Sequence, residues 1–150
     1  RSLYRYLSIE LKLEKKIPIY GNGLQIRDWI YVDDHCNGVL KALEIGKTGE
    51  IYNFGGQSEL TNIDCIKNLI NVVDPTLKSD DIFEFVKDRP GHDTRYAINP
   101  EKSFNELSWE PSESFLSGIT KTISWYTENQ DWLKDKINSK EYKDWEIKHY

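Results

Sequence analysis

The chain has 150 residues, of which 38% are hydrophobic and 30% charged, as in a soluble globular protein with one domain and a core of its own. The net charge of -5 argues against a nucleic-acid-binding surface, because clustered Lys and Arg hold phosphate backbones, although a few placed arginines could hold a small anion. No apolar run approaches a membrane span of roughly 20 residues, and nothing is typical of a signal peptide. Cys36 and Cys65, without CxxC spacing, predict a reduced, cytoplasmic setting with two buried thiols.

The first predicted elements are a helix and two extended segments. Apolar residues recur every four positions over residues 3–16 and predict a helix with one apolar face; they are Leu3, Leu7 and Leu11. Pro18 ends that helix, so residues 17–20 are predicted to be extended. A Gly-Asn-Gly turn follows, and the β-branched and aromatic residues of 26–32 predict a second extended segment.

The next elements are a helix and a strand. Asp33 is a good N-cap for a helix over residues 34–44. Its apolar positions are expected to face inward; they are Val39, Leu40 and Leu43. Glycines end the helix, and residues 50–54 predict a strand that closes on Gly55-Gly56.

Thr61 followed by Asp64 has the form of a capping box, with Asp as a shorter stand-in for Glu. The helix that it opens has a stripe of apolar residues predicted to be buried: Ile63, Ile66, Leu69, Ile70 and Val73. Residues 82–86 alternate like a strand, and residues 88–93 form a polar loop.

The last third of the chain is predicted to be helical. Helices are expected over residues 100–107 and 113–129, and the charged tail from Gln130 is expected to be a surface helix. Short strands separated by helices predict an α/β fold, an α+β-like lobe with a small sheet and several helices.

Three segments carry more polar groups than packing requires. In residues 18–29, glycines allow a ligand to approach the backbone, Arg27 offers a planar fork for phosphate, and Tyr20 offers a flat face for a base. The residues alone are equally compatible with a plain turn in which Arg27 pairs with Asp28 or another carboxylate.

The second segment is the helix start at residues 60–64. Its free backbone N–H groups and positive dipole end can receive an anion, and Asn62 can hydrogen-bond a ligand, although plain capping explains the same residues.

The third segment is the loop Asp88-Arg89-Pro90-Gly91-His92-Asp93, which concentrates donors around a rigid corner. A turn closed by an Asp–Arg pair explains that loop equally well.

Asp33, Asp34 and His35 suggest a metal site, but adjacent residues at a helix start point in different directions, so no metal is expected. No tyrosine is followed by a lysine four positions later, and no G-x-G-x-x-G run is present. We therefore expect neither a Tyr-Lys proton-transfer pair nor a dinucleotide phosphate cradle here, and no catalytic residue.

Four motifs resemble, in order, the C-terminal half of the dTDP-glucose 4,6-dehydratase family of extended short-chain dehydrogenases/reductases. They are Pro18–Gly21, Gln25–His35, Tyr52–Gly56 and Asp88–Ile98. The first three are similar to those of epimerases and decarboxylases of the superfamily, whereas the Asp-Arg-Pro-Gly-His-Asp loop is more specific to the dehydratases. The resemblance runs from about Leu11 to the end of the chain.

The resemblance implies an NAD-dependent hydro-lyase acting as a homodimer. It would oxidise dTDP-glucose at C4, eliminate water across C5 and C6, and return the hydride to C6, giving dTDP-4-keto-6-deoxyglucose. In the family, the NAD-binding Rossmann part and the catalytic residues lie in the N-terminal half, which is expected to be absent here. Residues 1–150 would then be the substrate-binding lobe, inactive alone, with an apolar face exposed where the other lobe docks.

The resemblance also implies a nucleotide site. Pro18, Ile19 and Tyr20 would line the base and ribose end, Arg27 would bind the diphosphate, and Asn62 would hydrogen-bond the nucleotide. The loop that would close over it, with Arg89 as a second phosphate ligand, consists of Asp88, Arg89, Pro90, Gly91 and His92. The alternatives are a UDP-glucose 4,6-dehydratase, a related epimerase, or a non-catalytic nucleotide-sugar-binding module.

Overall fold

The computed structural model describes residues 16–149. Its strands are β1 (Ile17–Tyr20), β2 (Ile26–Asp28), β3 (Glu59–Thr61), β4 (Phe83–Val86) and β5 (Arg95–Tyr96). Its helices are α1 (Val32–Ile45), α2 (Asn62–Val73), α3 (Ser79–Ile82), α4 (Glu101–Leu107), α5 (Phe115–Glu128), α6 (Gln130–Asn138) and α7 (Lys140–His149). This confirms the α/β fold class. The helix predicted over residues 3–16 lies outside the described residues, apart from Lys16.

The strands form two small sheets. β1 pairs with β4 in parallel, from Ile17 opposite Phe83 to Tyr20 opposite Val86. In the other sheet β2 is central, antiparallel to β3 and parallel to β5. Since parallel neighbours cannot be joined by a tight turn, helices and long loops connect β1 to β4 and β2 to β5.

The main core lies between the β1–β4 pair and α2. Its buried side chains are Ile17, Ile19, Ile66, Ile70 and Phe83, with Ile63, Leu77 and Ile82 packed at the edge. The predicted apolar stripe of α2 is buried at Ile66, Leu69 and Ile70, whereas Ile63 and Val73 at its two ends are half-buried. Half of the predicted capping box is present: Thr61 Oγ1 accepts from Asp64 N at 3.0 Å, but the Asp64 carboxylate accepts from the Thr61 hydroxyl at 2.6 Å and not from the Thr61 backbone N–H.

β2 is shorter than the extended segment predicted over residues 26–32. The strand ends at Asp28, whose carboxylate accepts from Gly56 N at 3.0 Å and from Ser58 N at 2.8 Å. α1 then begins at Val32 after Tyr31, with no side-chain cap bond, so the prediction of Asp33 as N-cap is wrong. Asp33 lies in the first turn of the helix instead.

The prediction that Val39, Leu40 and Leu43 face inward is also wrong. They lie on the exposed side of α1, and Leu43 is 83% exposed. The inward side instead carries Asp34 and Gly38, both buried. A Cβ added to Gly38 would lie 2.5 Å from the Phe54 ring, so α1 packs through its smallest residue and turns its larger apolar residues to the opposite side.

The strand predicted over residues 50–54 is not present. Residues 50–56 are not part of any strand, and Ile51 is 78% exposed. A strand exists only as part of a hydrogen-bonded ladder, and β-forming composition alone supplies no partner. The segment is held by its side chains instead, since Phe54 packs edge-on against Trp109 with ring centroids 4.9 Å apart.

Asp34 joins α1 to the start of α5. The residue is 4% exposed, and its carboxylate accepts from Ser112 N at 3.1 Å, Ser112 Oγ at 2.6 Å and Glu113 N at 3.0 Å. Its backbone carbonyl accepts from Trp109 Nε1 at 3.0 Å. Burial alone would raise the pKa of the Asp34 carboxyl, but the bonds from Ser112 and Glu113 outweigh it and hold that pKa below its ordinary value.

The two cysteines differ. Cys65, on α2, is buried as predicted, whereas Cys36, on the exposed side of α1, is exposed, so that half of the prediction is wrong.

None of the helices within residues 16–149 has the length and apolar character needed to cross a membrane.

Replacing Asp34 by Asn is expected to destabilise the chain by about 1–3 kcal/mol, because both carboxylate oxygens receive N–H or O–H donors and an amide NH₂ must meet one of them. Urea unfolding followed by tryptophan fluorescence measures this difference. The matched control is Asp33→Asn in the same helical turn, which is exposed and is expected to change stability by less than about 0.5 kcal/mol. Equal losses in both variants would contradict the assignment.

The same pair of proteins is expected to show a pH dependence. Because the folded-state pKa of Asp34 is lowered, its contribution is fully present above the unfolded-state pKa of about 3.9 and is lost as the pH falls through the folded-state pKa. The stability difference between wild type and Asp34→Asn should therefore be constant near neutral pH and shrink in acid. A difference that grows on acidification would contradict this sign.

We expect the 150-residue chain to self-associate through the exposed apolar side of α1, and Leu43→Lys to weaken that association. Asn37→Lys is the matched control, since Asn37 is exposed on the same helix, lies off the apolar stripe and gains the same charge. Sedimentation velocity at increasing concentration measures the change. A wild-type chain that stays monomeric at high concentration would contradict the expectation.

Candidate functional site

The parallel pairing of β1 and β4 positions two of the predicted segments. The carboxyl ends of parallel strands lie at the same edge, so the turn after β1 and the loop after β4 emerge side by side. The Gly21 N–H donates to Val86 O at 3.0 Å and continues the contact beyond the strands. Gly21 has φ +58°, and a Cβ there would lie 2.7 Å from Asp88 Oδ2. Glycine therefore lets the turn lie directly against the loop.

Asp88 organises the loop that follows β4. Its carboxylate accepts from Gln25 Nε2 at 3.0 Å and from Arg89 N at 2.9 Å, and its Oδ1 lies 2.6 Å from His92 Nδ1. The hydrogen bond with His92 is the main cause that holds the pKa of the Asp88 carboxyl below its ordinary value, with help from Arg89 N and Gln25. The loop is thus closed by an Asp–His contact and not by the Asp–Arg pair that was the alternative.

Arg27 lies on the central strand β2 and reaches the far end of the same loop. Its guanidinium donates to Asp93 O at 3.0 Å and to Ile26 O at 2.6 Å, and it stacks 4.6 Å from the centre of the Tyr96 ring. These oxygens are neutral, and none of the ion pairs found within residues 16–149 includes Arg27. Asp28, its predicted alternative partner, is bonded to Gly56 and Ser58 instead. Arg27 therefore keeps a net positive charge that an anion can meet.

The start of α2 differs from the sequence prediction. Its first backbone N–H groups are not free: Asn62 N donates to Gln25 O at 3.0 Å, Ile63 N to Gly23 O at 3.1 Å, and Asp64 N to Thr61 Oγ1. The turn after β1 folds back onto the helix start and satisfies these donors, so an anion bound by backbone N–H groups is ruled out at this position. The Asn62 side-chain amide remains as the polar group facing the turn, 3.5 Å from Gln25 Oε1.

The remaining predicted residues differ in accessibility. Arg89, Pro90 and Gly91 are exposed at the loop tip, while Pro18 and Tyr20 are half-buried on β1. Ile19 is 2% exposed and points into the core, so only its backbone could meet a ligand.

Two residues of this region were missed by the sequence analysis. Gln25 bridges Asn62 and Asp88, and Tyr96 supports Arg27 while its hydroxyl hydrogen-bonds the Asp93 carboxylate. That hydrogen bond raises the pKa of the Tyr96 phenol. An arginine and a tyrosine on adjacent parallel strands would have indicated the stacking, had the pairing of β2 with β5 been known.

Asp33, Asp34 and His35 do not converge. Asp34 is bonded to Ser112 and Glu113, and His35 packs edge-on against Phe54 at 6.0 Å. Residues 16–149 contain no group of three side chains able to hold a metal ion.

A concavity lies between α1, α2 and α5, away from the predicted site residues. It has a volume of about 720 Å³, and its lining includes the aromatic residues Trp29, Tyr31, Phe115 and Trp125. The Trp29 Nε1 atom is buried, without a hydrogen-bond partner among the described residues. None of the predicted site residues lines this pocket.

A family model described as GDP-mannose 4,6 dehydratase matches residues 4–122. The dTDP-glucose 4,6-dehydratase of Shigella flexneri is 42% identical over 140 residues, which are 91% of this chain and 38% of that protein. The dTDP-glucose 4,6-dehydratase 1 of Escherichia coli K12 is 43% identical, with the same coverage. The chain therefore spans about 38% of the length of these curated relatives.

Solved structures similar to this chain include enzymes with the same name as these relatives. The dTDP-glucose 4,6-dehydratase of Bacillus anthracis in complex with NAD superposes with a TM-score of 0.78 and 42% identity, covering 87% of this chain and 40% of that chain. The Streptomyces venezuelae enzyme DesIV, solved with NAD and a second ligand, has a TM-score of 0.80 and 35% identity, covering 88% and 40%. Because the family model matches most of its length, the chain belongs to the GDP-mannose 4,6 dehydratase family, and the curated relatives named above are dTDP-glucose 4,6-dehydratases.

Proposed function

We propose that this chain is the nucleotide-sugar-binding lobe of an NAD-dependent dTDP-glucose 4,6-dehydratase, the hydro-lyase that converts dTDP-glucose into dTDP-4-keto-6-deoxyglucose. The observation that carries the proposal is the contact of Arg27, on β2, with the loop that holds Asp88, Arg89 and His92. The identity of 42–43% to curated dTDP-glucose 4,6-dehydratases supports the substrate class.

Within the proposal, the cations at this edge bind the diphosphate. Arg27 is held by neutral oxygens and by the Tyr96 ring, so its charge is oriented but not neutralised. Arg89 is exposed at the loop tip and is also outside the ion pairs of the described residues. Arginine–phosphate hydrogen bonds contribute roughly 1.5–3 kcal/mol each, so two of them provide much of the affinity for a nucleotide diphosphate.

The other residues of the proposed site orient the ligand. The Asn62 amide offers a donor and an acceptor to the nucleotide, and Tyr20 with Pro18 borders the base and ribose end. The Asp88–His92 contact keeps the loop folded so that Pro90 and Gly91 close over the ligand. None of these roles is a chemical step, and we assign no catalytic residue to residues 1–150.

Among residues 16–149, the glycine turn after β1 does not fit a site for the NAD phosphates. The glycine turn after β1 leads into another strand and not into a helix, and its N–H groups are used: Gly21 N donates to Val86 O and Gly23 N to Tyr20 O. A pyrophosphate cradle needs such groups free at a helix start. NAD binding and the reaction it supports are therefore assigned, within the proposal, to a part of the protein outside this chain.

The complete protein is proposed to be a cytoplasmic homodimer acting on a nucleotide sugar, with no nucleic-acid or membrane partner. The free thiols of Cys36 and Cys65 support a reducing compartment, and the net charge of -5 supports a small anionic ligand over a polyanion.

Calorimetric titration of the chain with dTDP, UDP and dTDP-glucose tests the proposal. We expect saturable binding that favours the dTDP ligands and weakens by roughly tenfold to a hundredfold in Arg27→Ala, because one charge-assisted phosphate contact is lost. A preference for UDP would favour the UDP-glucose alternative.

The matched control is Arg95→Ala. Arg95 lies on β5, opposite Ile26 of β2, and is paired bidentately with Glu59 at 2.6 and 2.7 Å, so its charge is already neutralised. Its loss should leave nucleotide affinity nearly unchanged. Equal effects of the two substitutions, or a folded chain that binds no nucleotide diphosphate, would contradict the proposed site.

A further inference from the structure

Gln25 is a buried polar residue that the proposed site does not yet include. Its side chain is 6% exposed and lies between the turn after β1 and strand β2. The amide nitrogen donates to Asp88 Oδ2 at 3.0 Å, and the amide oxygen accepts a longer, weaker bond from Asn62 Nδ2 at 3.5 Å. The backbone carbonyl of Gln25 accepts from Asn62 N at 3.0 Å. One residue thus connects two predicted ligand-binding residues that come from different elements.

The chemistry of this position is specific to a primary amide. Asp88 presents a carboxylate and requires a donor, whereas Asn62 presents its NH₂ group and requires an acceptor. A glutamine satisfies both at once. A glutamate would set a second carboxylate against Asp88, and a leucine of similar size would leave a carboxylate oxygen and an amide without their partner.

The Asp88 carboxylate that Gln25 binds also holds the loop after β4 in place. While Oδ2 accepts from Gln25, Oδ1 accepts from Arg89 N and contacts His92 Nδ1, and Gly21 lies so close that no Cβ would fit beside Oδ2. The carboxylate is therefore held from the turn at Gly21, from Gln25 just before β2, and from its own loop. The Gln25 bond is the contact that ties this loop to the α2 start, where Asn62 lies.

We propose that Gln25 is a positioning residue for the nucleotide site: it holds Asn62 and the Asp88–His92 loop in one relative geometry without touching the ligand. This role rests on the proposed function, because it matters for binding only if Asn62 and the loop meet the nucleotide. The geometric part, the restraint of the loop by Gln25, is independent of any ligand.

Amide hydrogen exchange at Arg89, in the absence of nucleotide, tests the geometric part. Its N–H donates to Asp88 Oδ1, so it reports whether the carboxylate keeps its orientation. We expect faster exchange at Arg89 in Gln25→Leu. The control is Thr61→Ala, which removes the cap of the same α2 start without touching Asp88 and should leave Arg89 exchange unchanged. Unchanged exchange in a folded Gln25→Leu chain would overturn the proposal.

Nucleotide binding tests the functional part. We expect Gln25→Leu to weaken dTDP binding about tenfold at every pH, relative to wild type at the same pH. In Gln25→Glu the new carboxylate faces Asp88, and the groups that contact these two positions are the His92 ring, the Arg89 backbone N–H and the neutral Asn62 amide. The defect should be largest at neutral pH and shrink on acidification, since one protonated carboxyl can donate to the other.

The outcomes separate the two claims. A Gln25→Glu defect that does not change with pH while Arg89 exchange is normal would overturn the positioning role. Wild type that binds no dTDP, combined with faster Arg89 exchange in Gln25→Leu, would contradict the proposed function and leave the loop restraint established. An equal loss of dTDP affinity in Gln25→Leu and Thr61→Ala would mean that Gln25 only stabilises the fold in general, and it would also overturn the proposal.

Discussion

β1 and β4 lie side by side and parallel, although α1, α2 and α3 all separate them along the chain. Their register buries Ile17, Ile19 and Phe83 against α2, and the same register leaves Tyr20 opposite Val86 at the strand ends. The turn and the loop that leave these ends carry much of the proposed site. Loss of the packing between the β1–β4 pair and α2 would therefore separate the turn after β1 from the loop after β4, which are far apart in sequence. The core and the proposed site thus depend on the same strand pairing.

Local signals in the sequence predicted the elements whose stability is local. Thr61 and Asp64 predicted the N-cap of α2, and the 3.6-residue period of its apolar residues predicted the side of the helix that packs on the sheet. The prediction for α1 used the same period and gave the wrong side, since period alone does not say which apolar stripe finds a partner. In α1 the side that packs inward is the one with Gly38, because only a glycine lets the helix lie this close to the Phe54 ring.

The candidate site shows the same division. Arg27, Asn62 and the Asp88–His92 loop were found from residue type and order, because such donors are unusual in a plain turn. Gln25 was not found, since its role arises only when the ends of two distant strands meet. The expected anion site at the α2 N–H groups also failed for this reason: the carbonyl oxygens of Gln25 and Gly23 occupy those groups through a contact between segments far apart in sequence. Sequence reveals which groups are available, while tertiary contacts decide which of them are already used.

The different surroundings of the two thiols have a practical consequence. Burial raises the pKa of Cys65 to about 12, so in the folded chain it is scarcely ionised and poorly accessible to alkylating reagents. Cys36 is exposed on the apolar side of α1, so its thiol can be labelled selectively in the unmodified sequence. A spin label or environment-sensitive fluorophore at that thiol would report on whatever approaches this helix, with no engineered cysteine and with the interior of the protein undisturbed.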